Sequence, residues 1–332
     1  GGGSPSEPGS PGRCVGGYEL VECVGAGAFG RVHLARRPDR PSEAFALKEV
    51  PLTALSEPQA WSAASGASTP TPPPGAPSPP GAPLSRRPSR CCTPRGQKAG
   101  GGGEVGFAAE DALAQEQAAK DISHEVRLLR QLDHPNVVQY YSSFTTSAGT
   151  GSTLWIVMEF CSGVSLQSFT ASAREKGLAK LPEEQTWQIF VQLCLALRYL
   201  HVEKGICHRD LTPNNVLVQS HTLAVKVADF GLARQKAGAG TAAASMMKSM
   251  VGTILYSCPE IVQHRPYTHK ADVWALGCLL YKMATLRDPF QGNNPLSVAR
   301  RIVECEYKRL DEVHHSEMLV RTCGGCLTVS AE

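Results

Sequence analysis

Asp210, a residue able to take a proton from a hydroxyl, stands five residues before Asn215, whose carboxamide oxygen suits a hard cation. Both lie in the segment His208-Arg209-Asp210-Leu211-Thr212-Pro213-Asn214-Asn215. A second carboxylate, Asp229 of Asp229-Phe230-Gly231, follows the hydrophobic run Val225-Lys226-Val227. Far upstream, Lys48 follows Phe45-Ala46-Leu47, so its neighbours are apolar and its ammonium is expected to point into a cleft. A base, two oxygen ligands for Mg²⁺ and a cation for phosphate oxygens are the parts that move a phosphoryl group. Asp is a weak base near neutral pH, so Asp210 is expected to act mainly by positioning the hydroxyl.

Gly25-Ala26-Gly27-Ala28-Phe29-Gly30-Arg31-Val32 adds a loop whose backbone N–H groups can approach a triphosphate closely. Dinucleotide-binding folds use similar glycines, but there a helix follows them, with an acidic residue further on for the ribose. Here the alternating Arg31-Val32-His33-Leu34-Ala35 predicts a strand instead, and no acidic residue stands at the right distance.

The elements that must carry these residues follow from periodicity. Tyr18 to Val24, Arg31 to Ala35, Phe45 to Val50, Val137 to Phe144 and Leu154 to Met158 read as strands. Ile122, Val126 and Leu129 mark one buried face of a helix that begins near Glu110. Ile189, Phe190, Leu193, Leu197 and Leu200 form the stripe of another helix, with Pro182 near its start, and Ala271 to Gly277 opens an almost wholly apolar one. The expected architecture is α+β, with a strand-rich first lobe, a helical second lobe and a cleft between them.

Gly, Pro and Ser dominate residues 1–16, which read as a disordered leader. A Pro- and Gly-rich insert at about 51–103 reads as a solvated excursion. It contains Arg86-Arg87-Pro88-Ser89, a basic arrangement that another enzyme could modify. The lobes are expected over 17–160 and 161–332. Of 332 residues, 42% are hydrophobic, enough for a sizeable core. The net charge of +3 without a basic run argues against nucleic acid, and no apolar stretch reaches the ~18 residues of a membrane span. The N-terminus has neither a secretory pattern nor a Met, so the chain reads as a fragment. Its twelve scattered Cys then read as reduced thiols, cytosolic or nuclear. Cys323-Gly324-Gly325-Cys326 has the spacing of half a zinc site, but no second pair stands at a suitable distance.

These ordered motifs resemble protein kinases. Gln192 through His201, the loop ending Thr212-Pro213-Asn214-Asn215, and Gly252-Thr253-Ile254-Leu255-Tyr256-Ser257-Cys258-Pro259-Glu260 are similar to the NIMA-related family over roughly residues 18–332. The resemblance implies a bilobal kinase fold and transfer of the ATP γ-phosphate, with Mg²⁺, to Ser or Thr hydroxyls of protein substrates. It also implies cell-cycle or ciliary work, with centrosomal or ciliary association. Catalytic roles carry over to Asp210, Lys48 and Glu125, the last as the ion-pair partner of Lys48, ten residues before Pro135. Asn215 and Asp229 carry over as Mg²⁺ ligands. Nucleotide contacts carry over to Val24, Gly25, Gly27, Gly30, Val32, Ala46, Lys48, Glu159, Cys161 and Leu217. Ser249, with Ser245 as its rival, is the expected activating phosphosite, its phosphate pairing with Arg209.

The chain departs from the family at Thr212, where a Lys usually touches the γ-phosphate, and at Ile254, where Pro is common. Thr253 is expected to hydrogen-bond Asp210 instead, and both departures leave Tyr open as an acceptor. The family pattern also continues past Ser330-Ala331-Glu332 with an Arg that pairs with the position of Glu260, so the second lobe is expected to be incomplete. Two other readings are weighed. A pseudokinase scaffold without turnover usually lacks the Lys, the catalytic Asp or the metal Asp, and all three are present. A small-molecule kinase is opposed by Ser257 through Glu260 and the Asp272-Val273-Trp274 helix, which build a platform for protein substrates.

Overall fold

The computed structural model describes residues 13–27, 30–51, 129–148, 151–229 and 254–329. Six strands form one antiparallel sheet: β1 Cys14–Val15, β2 Tyr18–Gly27, β3 Gly30–Arg37, β4 Arg40–Pro51, β5 Tyr140–Ala148 and β6 Gly151–Glu159, in the order β1-β2-β3-β4-β6-β5. The expected leader boundary at residue 16 is therefore too late. Cys14 and Val15 pair with Glu19 and Tyr18, because Gly16 and Gly17 at positive φ fold the chain back into a hairpin.

Side chains alternate across β4, and the alternation decides what its neighbours meet. Leu47 joins Val15, Leu20, Ala35, Trp155 and Val157 in a small core on one face. Val50 belongs to the large core with Leu154, Ile156 and Tyr140, and Met158 packs against it. Lys48, opposite Ile156 and two residues from Val50, lies on that second face and is buried. A slip of one residue would carry its ammonium to the other side of the sheet.

The strand expected from Val137 starts later, at Tyr140, for a specific reason. Val137 forms a bridge with Val227, and the Val138 N–H donates to Val227 O at 2.9 Å. Those two residues are thus spent on the second sheet, β7 Val164–Ser165, β8 Val216–Val218 and β9 Val225–Val227. The helices are α1 Leu166–Glu175, α2 Glu183–Arg198, α3 Pro259–Val262, α4 Lys270–Thr285, α5 Pro295–Val303 and α6 Glu317–Cys326. Pro182 caps α2, and Ile189, Phe190, Leu193 and Leu197 are its buried stripe. A π-helical turn, Tyr199–Glu203, continues it. Almost every residue of α4 after its first is buried, which places it at the centre of the helical region. Gly277 lets α6 pack against α4, since a Cβ there would lie 2.6 Å from the Cβ of Cys326.

Cys323 and Cys326 are part of that packing. Burial pushes the Cys323 thiol up to about 12, and no cluster of three or more metal-ligating side chains occurs among the described residues. No helix among the described residues is long and apolar enough to cross a membrane. The insert expected at about 51–103, apart from Pro51 at the end of β4, lies outside the described residues, as do Ile122, Glu125 and Val126 of the expected helix and Phe230, Gly231, Ser245, Ser249 and Thr253.

Candidate active site

Strand β4 delivers Lys48 to the start of the loop after β9, where its Nζ donates to Asp229 Oδ1 at 2.5 Å. The two residues are 181 positions apart in the chain. Asp229 has φ +54, a left-handed conformation that turns the backbone sharply at the end of the hydrophobic run. Its side chain is 40% exposed, so the carboxylate meets Lys48 while still reaching solvent.

On the loop before β8, Asn215 Nδ2 donates to Asp210 O at 2.8 Å and to Asp210 Oδ2 at 3.1 Å. These bonds orient the Asp210 carboxylate and leave Asn215 only its amide oxygen to offer a cation. Two hard oxygen donors, Asn215 Oδ1 and the Asp229 carboxylate, fit Mg²⁺, which binds few protein groups and keeps waters or phosphate oxygens around it. The donor set is too small and too hard for a structural zinc site.

The loop carrying Asp210 is built from below. His208 is buried; its Nε2 lies 3.0 Å from Ala228 O, and its Nδ1 lies 3.3 Å from the Asp210 N–H. A carbonyl accepts and an N–H donates, so Nε2 donates to Ala228 O and Nδ1 accepts from the Asp210 N–H. Arg209 stands at φ +66, which a non-glycine residue adopts only when its surroundings hold it. The holder is Asp272 on α4: Oδ2 accepts from the His208 N–H at 2.7 Å and Oδ1 from the Arg209 N–H at 2.9 Å. His201, on the π-helical turn, lies 2.7 Å from Asp272 Oδ2 through its Nε2. Burial pushes the Asp272 carboxyl up, but the bonds from His201, His208 and Arg209 outweigh it and hold the pKa below the usual range.

Residues 108–323 match the protein kinase domain family. This chain belongs to that family. The chain is 48% identical over 224 residues to mouse serine/threonine-protein kinase Nek10, covering 67% of this chain and 19% of that protein. It is 33% identical over 317 residues to serine/threonine-protein kinase D1044.8 of Caenorhabditis elegans, covering 93% of this chain and 26% of that protein. Mouse Nek4 is 40% identical over 214 residues, 64% of this chain and 25% of that protein. The chain thus spans about a fifth to a quarter of the length of these relatives. The NIMA-related resemblance is borne out by these matches, which include the tenth member of that family.

Of the remaining expected nucleotide contacts, Val24, Val32, Ala46 and Glu159 lie on strands of the first sheet, Leu217 lies on the second sheet, and Cys161 follows β6. Val32 pairs with Lys48 across β3 and β4, and Ala46 pairs with Met158. Val24, 47% exposed, is the extra residue of a bulge in β2 between Cys23 and Gly25, and bulges re-aim side chains. Leu217 lies on β8 opposite Ser165 and Lys226. Glu159 ends β6 with its carboxylate committed: Lys226 Nζ donates to Oε2 at 2.7 Å and the Gln139 N–H donates to it at 3.2 Å. Burial, reinforced by Glu159, pushes the Cys161 thiol up to about 11. Thr212 is buried beside Asp210 and Tyr256 in a small cavity under the loop, and Ile254 begins the 3₁₀ turn Ile254–Tyr256.

The glycines differ in what they must do. Gly30 has φ +135, and a Cβ there would lie 1.8 Å from Glu49 O, next to Lys48. Gly25 has only the Val32 Cβ within reach, at 4.0 Å. Gly30→Ala is expected to cost roughly 1–3 kcal/mol, a few degrees of melting midpoint, because the β3–β4 pairing must open. Gly25→Ala is expected to stay within about 0.5 kcal/mol. Thermal melts of the two variants check this, and equal midpoints would refute the packing argument.

Sequence reasoning missed the supporting roles of Asp272, His201 and Lys226. A signal for Asp272 was present: one carboxylate near the start of an almost wholly apolar helix must find donors or go uncompensated.

Proposed function

We propose that the protein is an ATP- and Mg²⁺-dependent protein kinase that phosphorylates Ser or Thr hydroxyls of other proteins. The observation that carries this reading is the Lys48–Asp229 pair at 2.5 Å standing with the Asn215–Asp210 bonds, four groups from three distant segments. MgATP, when bound, supplies the phosphoryl group and offsets part of its charge. The protein's own residues do the rest. Lys48, desolvated against Ile156 and Val50, offers its ammonium to phosphate oxygens. Asp229 and Asn215 present their oxygens to the metal. Asp210, oriented by Asn215 and by the His208 ring, aligns the acceptor hydroxyl and takes its proton on a carboxylate oxygen.

In this reading the chain up to about residue 160 is the nucleotide-facing lobe and the remainder the substrate-facing lobe. Glu125 is the second partner of Lys48. Val24, Val32, Ala46, Cys161 and Leu217 enclose the nucleotide base, and Glu159, its carboxylate engaged, contributes through its main chain. Gly25, Gly27 and Gly30 lie over the phosphates.

The test is transfer of radiolabel from ATP to a mixed Ser, Thr and Tyr peptide library, with Asp210→Asn as control. Label on Ser or Thr peptides, lost in the control, is the expected result. Label on Tyr alone would change the substrate class. No label above the control would make the chain a nucleotide-binding scaffold.

A further inference from the structure

Beside the catalytic loop lies a pocket of about 800 Å³, between α1, the Ile254–Tyr256 turn, the segment after α4 and the start of α5. Its lining charges, among the described residues, are Arg174 on α1, Lys282 near the end of α4, and Arg287 and Asp288 just after it. Lys282 is buried, and its Nζ donates to Asp288 Oδ1 at 2.9 Å. The Tyr256 hydroxyl donates to that same oxygen. Asp288 is therefore neutralised within the wall. Arg174 and Arg287, on separate elements, are exposed and supply the net charge of the pocket. Neither guanidinium has an ion-pair partner among the described residues.

The position of Tyr256 relates this charge to the reaction. The residue lines the small cavity that holds Asp210 and Thr212, while Ile254 and Leu255 before it line the large pocket. A peptide presenting a hydroxyl to Asp210 would pass this turn. At ~3.3 Å per residue of extended chain, a side chain a few residues from the acceptor reaches the pocket. Arg presents a planar fork that matches a carboxylate, and two of them face this space with no acidic counterpart left to satisfy.

We propose that this pocket selects acidic acceptor peptides, those with an Asp or Glu a few residues from the accepting hydroxyl, through Arg174 and Arg287. The proposal rests on the kinase reading above and names its substrate class.

The test is binding of fluorescein-labelled peptides to the whole chain without nucleotide, followed by anisotropy. One peptide carries a Ser flanked on both sides by Asp and Glu; its counterpart carries Asn and Gln. The acidic peptide is expected to bind about five- to tenfold more tightly at low salt, the preference shrinking as salt screens it. In Arg174→Gln/Arg287→Gln the preference is expected to fall to about twofold or less. Both side chains are exposed, so the variant is expected to fold, and its melt verifies that. Equal binding of the two peptides, or an acidic preference that survives the double substitution, overturns the proposal. Label transfer to the same peptides is read separately. Its absence from every peptide alongside an intact charge preference would fault the kinase reading and not the pocket.

Discussion

Asp229→Asn is expected to lower phosphoryl transfer about a thousandfold while leaving the fold nearly as stable as before. The size follows from removing a charged group preorganised at the reacting phosphates, an effect of ~10²–10³ for a single donor and more where it also holds a metal. The small stability change follows from exposure. Asp229 is 40% exposed, so water screens its pair with Lys48, and the net contribution of that pair is expected to stay under about 1 kcal/mol. Lys48→Met is expected to behave in the same way, because Met keeps the apolar stem that packs beside Ile156 and Val50. The double variant should lose far less than the product of the two single losses, since the groups act as one unit. Radiolabel transfer gives the rates, and calorimetry with ATP in the presence and absence of Mg²⁺ separates binding from turnover. A single variant retaining more than about a tenth of the activity would remove that residue from the catalytic group.

Why the candidate residues were legible in the sequence and their support was not follows from range. Asp210 and Asn215 are neighbours in one loop, so their spacing carries information without a structure. Lys48 was placed by alternation: an apolar β4 two residues deep on each face leaves its side chain on the face of the large core. The lysine's observed contact with Asp229, across 181 residues, has no local signal at all. The same limit misplaced two strand boundaries. Val137 and Val138 have the composition of a β5 strand but pair with β9, because their hydrogen bonds are satisfied by a partner far along the chain. Cys14 and Val15 fell in a Gly- and Pro-rich leader, although Gly16 at its end is one of the two glycines that turn the hairpin. Thr212 and Ile254 are departures that the sequence showed at once. The structure adds that both are buried around the Ile254–Tyr256 turn, where an acceptor residue would dock.

The largest expected loss of stability is at Asp272, a residue that touches no substrate. Asp272→Ala leaves the N–H groups of His208 and Arg209 without an acceptor in a buried site and removes the partner of His201. At ~1–3 kcal/mol for each stranded donor, the expected cost is about 3–5 kcal/mol, a large share of a typical domain's ~5–15 kcal/mol. The variant also removes the hydrogen bond from the Arg209 N–H, one of the contacts that hold Arg209 at φ +66, and the neighbouring Asp210 is expected to shift from the hydroxyl. An error of about 1 Å there lowers transfer by ~10²-fold. Asp272→Asn is expected to lie between wild type and Ala, since one amide oxygen can still accept while the NH₂ opposes a donor. The pH dependence has a definite sign. Asp272 has its pKa depressed in the folded state, so its stabilisation is fully present above the ordinary value near ~3.9 and is lost as pH falls through the lower folded value. The gap in stability between wild type and Asp272→Ala should therefore be constant through neutral pH and close only below about pH 4. Denaturant melts of the two proteins across pH measure it. A gap that closed near neutrality would overturn the role given to the Asp272 carboxylate.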